Sequence, residues 1–209
     1  MNFIDLKAIE VKSKIENDVA GMTAAEIDKF FTKKLFDKRV ISFTKFYNKT
    51  VLDKERFNFG EFKHQWAIQG MKKHIYQYFE DNFEELKREI INEKNILSFY
   101  NKYCRKERNE ASFCCKLFHT SLPDEFSPLD NPIREHFKLQ RIDFMESFLI
   151  VKKAYELFIK DDKDQIQMIR DILNKPKFKV LRVNEISDLR LMDMFYWLKI
   201  SRNKKNQQG

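Results

Sequence analysis

Lys116 and Asp130 stand fourteen positions apart within SFCCKLFHTSLPDEFSPLDNPIREHF, residues 112–137. The same stretch holds three of the four prolines, two of the four histidines and two of the three cysteines, so the reactive side chains of the chain are concentrated here. Three chemistries could use them. Cys115 and His119 are four apart, as two zinc ligands on one helical face can be. Zinc needs three or four ligands, however, and no Cys-x-x-Cys or His-x-x-x-His partner is present. Cys104 and His136 would have to converge from elsewhere, so no metal site is assigned. Cys114 or Cys115 with His119 as base would make a thiol nucleophile, but no third group orients the histidine and no oxyanion hole is evident. The third chemistry is that of an amine. A lysine kept neutral by burial can attack a sugar C1′ when a nearby carboxylate, here Asp130, stabilises the developing cation. Against it stands a plain structural role, in which Lys116 pairs with Asp130 and pins a corner at little gain in free energy if exposed.

The elements that must position these residues are a helix, a proline corner and a second helix. Asn109 or Ser112 can cap the first helix, Phe113, Leu117 and Leu122 give it an apolar face, and Pro123 ends it. A short loop over 124–129 carries Pro128. Asp130 or Asn131 then caps the next helix, with Pro132 in its first turn, where the missing N–H costs nothing. The corner brings Lys116 and Asp130 towards each other, and His119, Pro123, Pro128 and Pro132 are expected to shape it.

Elsewhere the pattern is helical. Thr23 and Glu26 form a capping box before Ile27, Phe30, Phe31 and Leu35. VISFTKFYNKTVLDKERFNFG suits either a strand or a second helix. Phe62, Trp66, Met71, Ile75 and Phe79 line one helix, Phe83, Leu86, Ile90 and Ile91 another, and Ile96, Phe99, Tyr100 and Tyr103 a third. RIDFMESFLIVKKAYELFIK is the longest periodic run, with Phe144, Phe148, Val151, Tyr155 and Phe158 inward. DKDQIQMIRDILNK is a shorter helix, KFKVLRV reads as the one extended segment, and Ser187 caps a last helix whose Trp197 and Leu198 dock on the core. Trp66 is expected in the core as well. With only 4 Gly and 4 Pro, the tight turns of a sandwich or barrel are hard to supply. The fold class is therefore all-α, a compact bundle-like array of about eight or nine helices. Residues 1–200 read as a single helical domain and 201–209 as a flexible polar tail.

The chain carries 40 basic and 32 acidic side chains, a net charge of +8, which attracts polyanions through long-range fields and counterion release. No stretch approaches a membrane-spanning length of apolar residues. The N-terminal twenty residues mix acids and bases evenly and read as neither signal nor transit peptide. An odd count of three cysteines argues against a disulfide framework, so the chain reads as cytoplasmic and reduced. Nothing in it calls for a cofactor.

SFCCKLFHTSLPDEFSPLD resembles a pattern, Ser-x-x-Ser-Lys-x-x-His, a proline, then Phe-Pro-x-x-Asp, shared by short uncharacterised bacterial all-α proteins. The matching positions are Ser112, Lys116, His119, Pro123, Phe126, Pro128 and Asp130, and SDLRLMDMFYWL is similar to the last helix of such proteins. More remotely, the order helix, lysine, proline turn and aspartate at a helix N-terminus resembles the helix-hairpin-helix DNA glycosylases. That resemblance implies an all-α fold, base flipping, and a Lys/Asp pair in which Lys116 and Asp130 hold the catalytic positions. In that family a glycine-rich hairpin precedes the lysine and holds a DNA phosphate. Here RKERNEASFCCK has no glycine, leaving Arg105, Lys106 and Arg108 to bind phosphate by charge.

The expected function is thus nucleic-acid association through a degenerate glycosylase-like core, with binding favoured over catalysis and DNA as the partner. The alternative is a non-catalytic helical accessory protein of a mobile-element or phage-defence cassette, acting through a protein partner. Whether the chain is an enzyme is left open by the sequence.

Overall fold

The computed structural model describes the whole chain except Ala20, Phe36, Ala67, Gln69, Gly70, 106–109 and 201–209. The polar tail expected at 201–209 therefore lies outside the described residues. Within them there are twelve α-helices, two π-helical and two 3-10 segments, and no strand, so the fold is all-α with more helices than eight or nine. Among the described residues no helix is long and apolar enough to cross a membrane.

The layout follows from two helices, one with a broad apolar face and one buried on nearly every side, a pattern that places the second at the centre of the fold. One is α10 (Phe144–Asp161), which buries all five residues expected inward, together with Met145, Ser147, Ile150 and Ala154. The other is α12 (Asp188–Ile200), buried from Leu189 through Tyr196. Ser187 caps it as expected, accepting from the Arg190 N–H at 3.2 Å. Against this centre pack α8 (Ala111–Ser121) and α9 (Asn131–His136). Lying along α10 is α1 (Phe3–Val19), a helix unforeseen in the sequence reading, which presents Ala8, Val11, Ile15 and Val19 inward. The capping box of α2 (Ala24–Leu35) forms, with Glu26 accepting from Thr23 N–H at 2.8 Å.

One ambiguity is resolved and three further expectations are corrected. The ambiguous segment after residue 39 is helical as far as Leu52: α3 (Lys38–Tyr47) runs on into a π-turn over Asn48–Leu52. The single helix expected from Phe62 to Phe79 is two, α4 (Phe59–Gln65) and α5 (Lys73–Asp81). The break lets Trp66 pack on Phe43 (4.9 Å between ring centres) and His119 (5.8 Å). In α6 (Phe83–Glu93) Ile91 faces out, 48% exposed, because it sits about 100° round from Ile90. KFKVLRV is not extended: Pro176–Leu181 is a 3-10 turn started by proline, burying Phe178 and Leu181 three apart on one edge. The short α7 (Ile96–Phe99) ends in a π-turn to Cys104, and α11 (Lys163–Leu173) completes the set.

Candidate ligand cleft at the proline corner

The corner is tied down by side chains that satisfy its backbone. Leu122 closes α8 by donating its N–H to Phe118 O at 2.8 Å, and Pro123 follows. Ser187 Oγ donates to Pro123 O at 3.0 Å, and Ser112 Oγ donates to Leu129 O at 3.3 Å. Ser112 is therefore a tether and not the cap of α8, whose N-cap is Glu110; Asn109, the other expected cap, lies outside the described residues. Asp130 caps α9 as the sequence implies, its Oδ1 accepting from the Ile133 N–H at 3.1 Å ahead of Pro132.

His119 is fully buried on α8 and serves this corner. Its Nδ1 meets Phe126 O at 2.6 Å, and a carbonyl only accepts, so Nδ1 carries the proton. Burial, with the Arg190 charge adding to it, lowers its pKa to about 3, so the ring is neutral. Among the described residues its Nε2 has no hydrogen-bond partner, nor do the Tyr47 hydroxyl and Trp66 Nε1. These three rings pack together, Tyr47 stacking on His119 at 5.6 Å. Cys114 and Cys115 are equally buried, and burial raises both thiols well above their ordinary value. Among the described residues no three His, Cys, Asp or Glu side chains are grouped to hold a metal ion.

In front of the corner lies a cleft of about 300 Å³. Lys116 from α8 and Asp130 from the start of α9 both line it, with Pro128 and Leu129 between them. Phe43 of α3, Trp66 at the end of α4 and Trp197 of α12 supply aromatic walls. The remaining polar lining is Gln65, at the end of α4, and a buried ion pair from α12, Arg190 with Asp193. The Arg190 guanidinium lies 4.4 Å from the centre of the Tyr47 ring and 5.6 Å from that of Phe43. Lys116 Nζ donates to Trp66 O at 3.0 Å. Burial pulls its pKa below the usual lysine value, while the charge of Asp130 opposes that shift. Burial pushes Asp193 up to about 7; the charge of Arg190 works against this and that of Asp130 adds to it.

Lys116, Asp130 and Pro128 are thus brought to one site. His119 sits behind it, and Pro123 and Pro132 bound the corner without lining the cleft. Arg105 is exposed at the end of the π-turn, bonded to Asn101 Oδ1 at 3.3 Å, and does not line the cleft; Lys106 and Arg108 lie outside the described residues. Arg190 and Asp193 were missed, as was the part of the two tryptophans in the wall. The available signal was a pair of opposite charges three apart in an otherwise apolar helix, DLRLMDMFYWL: a helix that is buried all round forces its charges to be buried and paired. No family model, curated protein or solved structure matches the chain.

Proposed function

We propose that this protein associates with nucleic acid, DNA in the first instance, and receives one unstacked base in the cleft at the proline corner. The observation that carries the reading is the shared cleft itself, in which Lys116 and Asp130 meet between aromatic walls. Its volume lies at the small end of ligand sites and suits a single planar heterocycle. Aromatic faces bind bases of any sequence at about 1–3 kcal/mol each, and the buried polar groups supply hydrogen-bond partners for a base edge. Two cations facing two carboxylates favour a neutral base over a phosphate, while the net charge of +8 favours a polyanion as the wider partner. A degenerate helix-hairpin-helix glycosylase core belongs to the same proposal. Binding is preferred to catalysis because residues 105–116 lack the glycines that would cradle a phosphate, and Lys116 is engaged by Trp66 O.

The test uses the only two tryptophans of the chain, both of which line the cleft. Titration with a single strand, or with a duplex carrying one unpaired base, should quench their fluorescence saturably at low salt. A fully paired duplex should quench less, and Lys116→Ala should weaken the response. Absence of binding at low salt overturns the reading. A second reading, an accessory protein working through a protein partner, is favoured by a separate feature: α1 leaves Phe3, Leu6 and Ile9 exposed.

A further inference from the structure

A base held in the cleft brings the phosphates of its strand with it, and the two cations of the cleft already face two acids, Asp130 and Asp193. Next to it, lysines from three distant parts of the chain converge. Lys14 on α1 sits within range of both Lys138, just past α9, and Lys199, in the last turn of α12; burial lowers its proton affinity, the charge of Asp18 opposes that, and the two lysine charges add to the lowering. His136 feels Lys14 and Lys199 in the same way. The carboxylate among these groups is Asp18, which holds Lys199 Nζ at 2.7 Å and His136 Nε2 at 2.7 Å and accepts from the Tyr196 hydroxyl at 3.2 Å. With His136 neutral, three lysines against one aspartate leave a positive excess. Such crowding of like charge is unfavourable in the free protein and is relieved by an anion.

The cluster borders the cleft. Asp130, in the cleft, caps the N-terminus of α9, and His136 ends that helix six residues on, about 9 Å at 1.5 Å per residue. Ile133 of α9 lines the cleft, and His136 follows it by three residues on the same face of that helix. Part of the cluster has structural work: Lys14 donates to His136 O, and Lys199 pairs with Asp18. Lys138 has none that accounts for it. It is exposed, makes no ion pair among the described residues, and adopts φ 59°, a conformation in which glycine or asparagine is the usual residue after a helix.

We infer that Lys14, Lys138 and Lys199 form a phosphodiester-binding surface that seats the backbone of the strand whose base enters the cleft. The inference rests on the nucleic-acid reading and replaces Arg105 as the phosphate contact. Its test is fluorescence anisotropy of the full chain with a short fluorescein-labelled single strand across a salt series. Lys138→Glu and Lys199→Ala should each weaken binding and lower the slope of log affinity against log salt by about 1, whereas Arg105→Ala should leave the slope unchanged. Saturating tryptophan quenching should stay at the wild-type level in both lysine variants, since the cleft is untouched. If Lys199→Ala unfolds for want of its Asp18 partner, the exposed Lys138→Glu decides alone. Wild-type affinity and slope in Lys138→Glu, with binding and quenching intact, overturn the surface and leave the cleft reading standing. No binding by the wild type overturns both.

Discussion

His119 and Asp193 are both buried, and they oppose one another as pH falls. The histidine ionises at about 6.5 in the unfolded chain but only at about 3 when folded. Between those values the unfolded state carries the extra proton, so stability falls as pH falls, by about 1.4 kcal/mol per pH unit and up to about 5 kcal/mol over the whole window. Asp193 has the reverse sign. Its folded value of about 7 lies above an unfolded value near 3.9, so between them the folded state carries the extra proton and stability rises as pH falls. From about pH 6.5 to 4 the two contributions largely cancel in the wild type. Removing either one exposes the other. Asparagine at 119 keeps an N–H for Phe126 O without titrating, and asparagine at 193 keeps an acceptor for Arg190. Urea unfolding followed by far-UV circular dichroism at several pH values should show His119→Asn gaining on the wild type by about 1.4 kcal/mol per unit on acidification. Asp193→Asn should lose ground over the same range. The absolute cost of each substitution drops out, because only the change with pH is read. A pH-independent difference for His119→Asn would mean that the ring is protonated or solvated in the native state, and the argument for a neutral, buried His119 would fail.

The Arg190–Asp193 pair gives a second expectation. Arg190→Met removes the charge that holds the buried Asp193 down, so its carboxyl rises further above 7; the variant should cost about 3–5 kcal/mol in urea unfolding at mildly alkaline pH, with part of the loss recovered as the pH is lowered towards 7 and the carboxyl takes up its proton. A cost below about 1 kcal/mol would mean that Asp193 reaches water without its partner. The cysteines give a third: Cys104, Cys114 and Cys115 are free and buried, so an aromatic disulfide reagent should leave the native protein unlabelled and titrate all three thiols once it is unfolded. Native labelling at the rate of an open thiol would revive Cys115 as a nucleophile.

What the sequence makes legible is local. Asp130 with Pro132 and Thr23 with Glu26 are readable as helix starts because the cap and the N–H that donates to it lie three residues apart. α10 is readable because its apolar residues recur at 3.6 over five turns. α1 escaped notice although Ala8, Val11, Ile15 and Val19 carry the right spacing, because the charges between them mask the stripe. KFKVLRV misleads for a different reason. Its β-branched residues fit a strand, but Pro176 and the burial of Phe178 and Leu181 on one edge select a 3-10 turn. The candidate site divides the same way: Lys116 and Asp130 are joined by a corner fourteen residues long, whereas Arg190 and Asp193 arrive from a helix some sixty residues later.

That division bears on what the ion pair is for. A buried pair contributes little net stability, and well-packed apolar residues would serve α12 at least as well. At the centre of a helix otherwise apolar from Leu189 to Leu198, two charges are therefore poorly explained by the fold alone. They line the cleft that Lys116 and Asp130 enter from the other side, and the guanidinium is held over the Tyr47 ring, which fixes its position before any ligand arrives. A preset pair of opposite charges loses little order on meeting a base edge that offers a donor beside an acceptor. On this argument Arg190→Met combined with Asp193→Leu should restore most of the stability lost in Arg190→Met while abolishing the quenching of Trp66 and Trp197 by a single strand. A double variant that is stable and still fully quenched would assign the pair to the fold and remove it from the site.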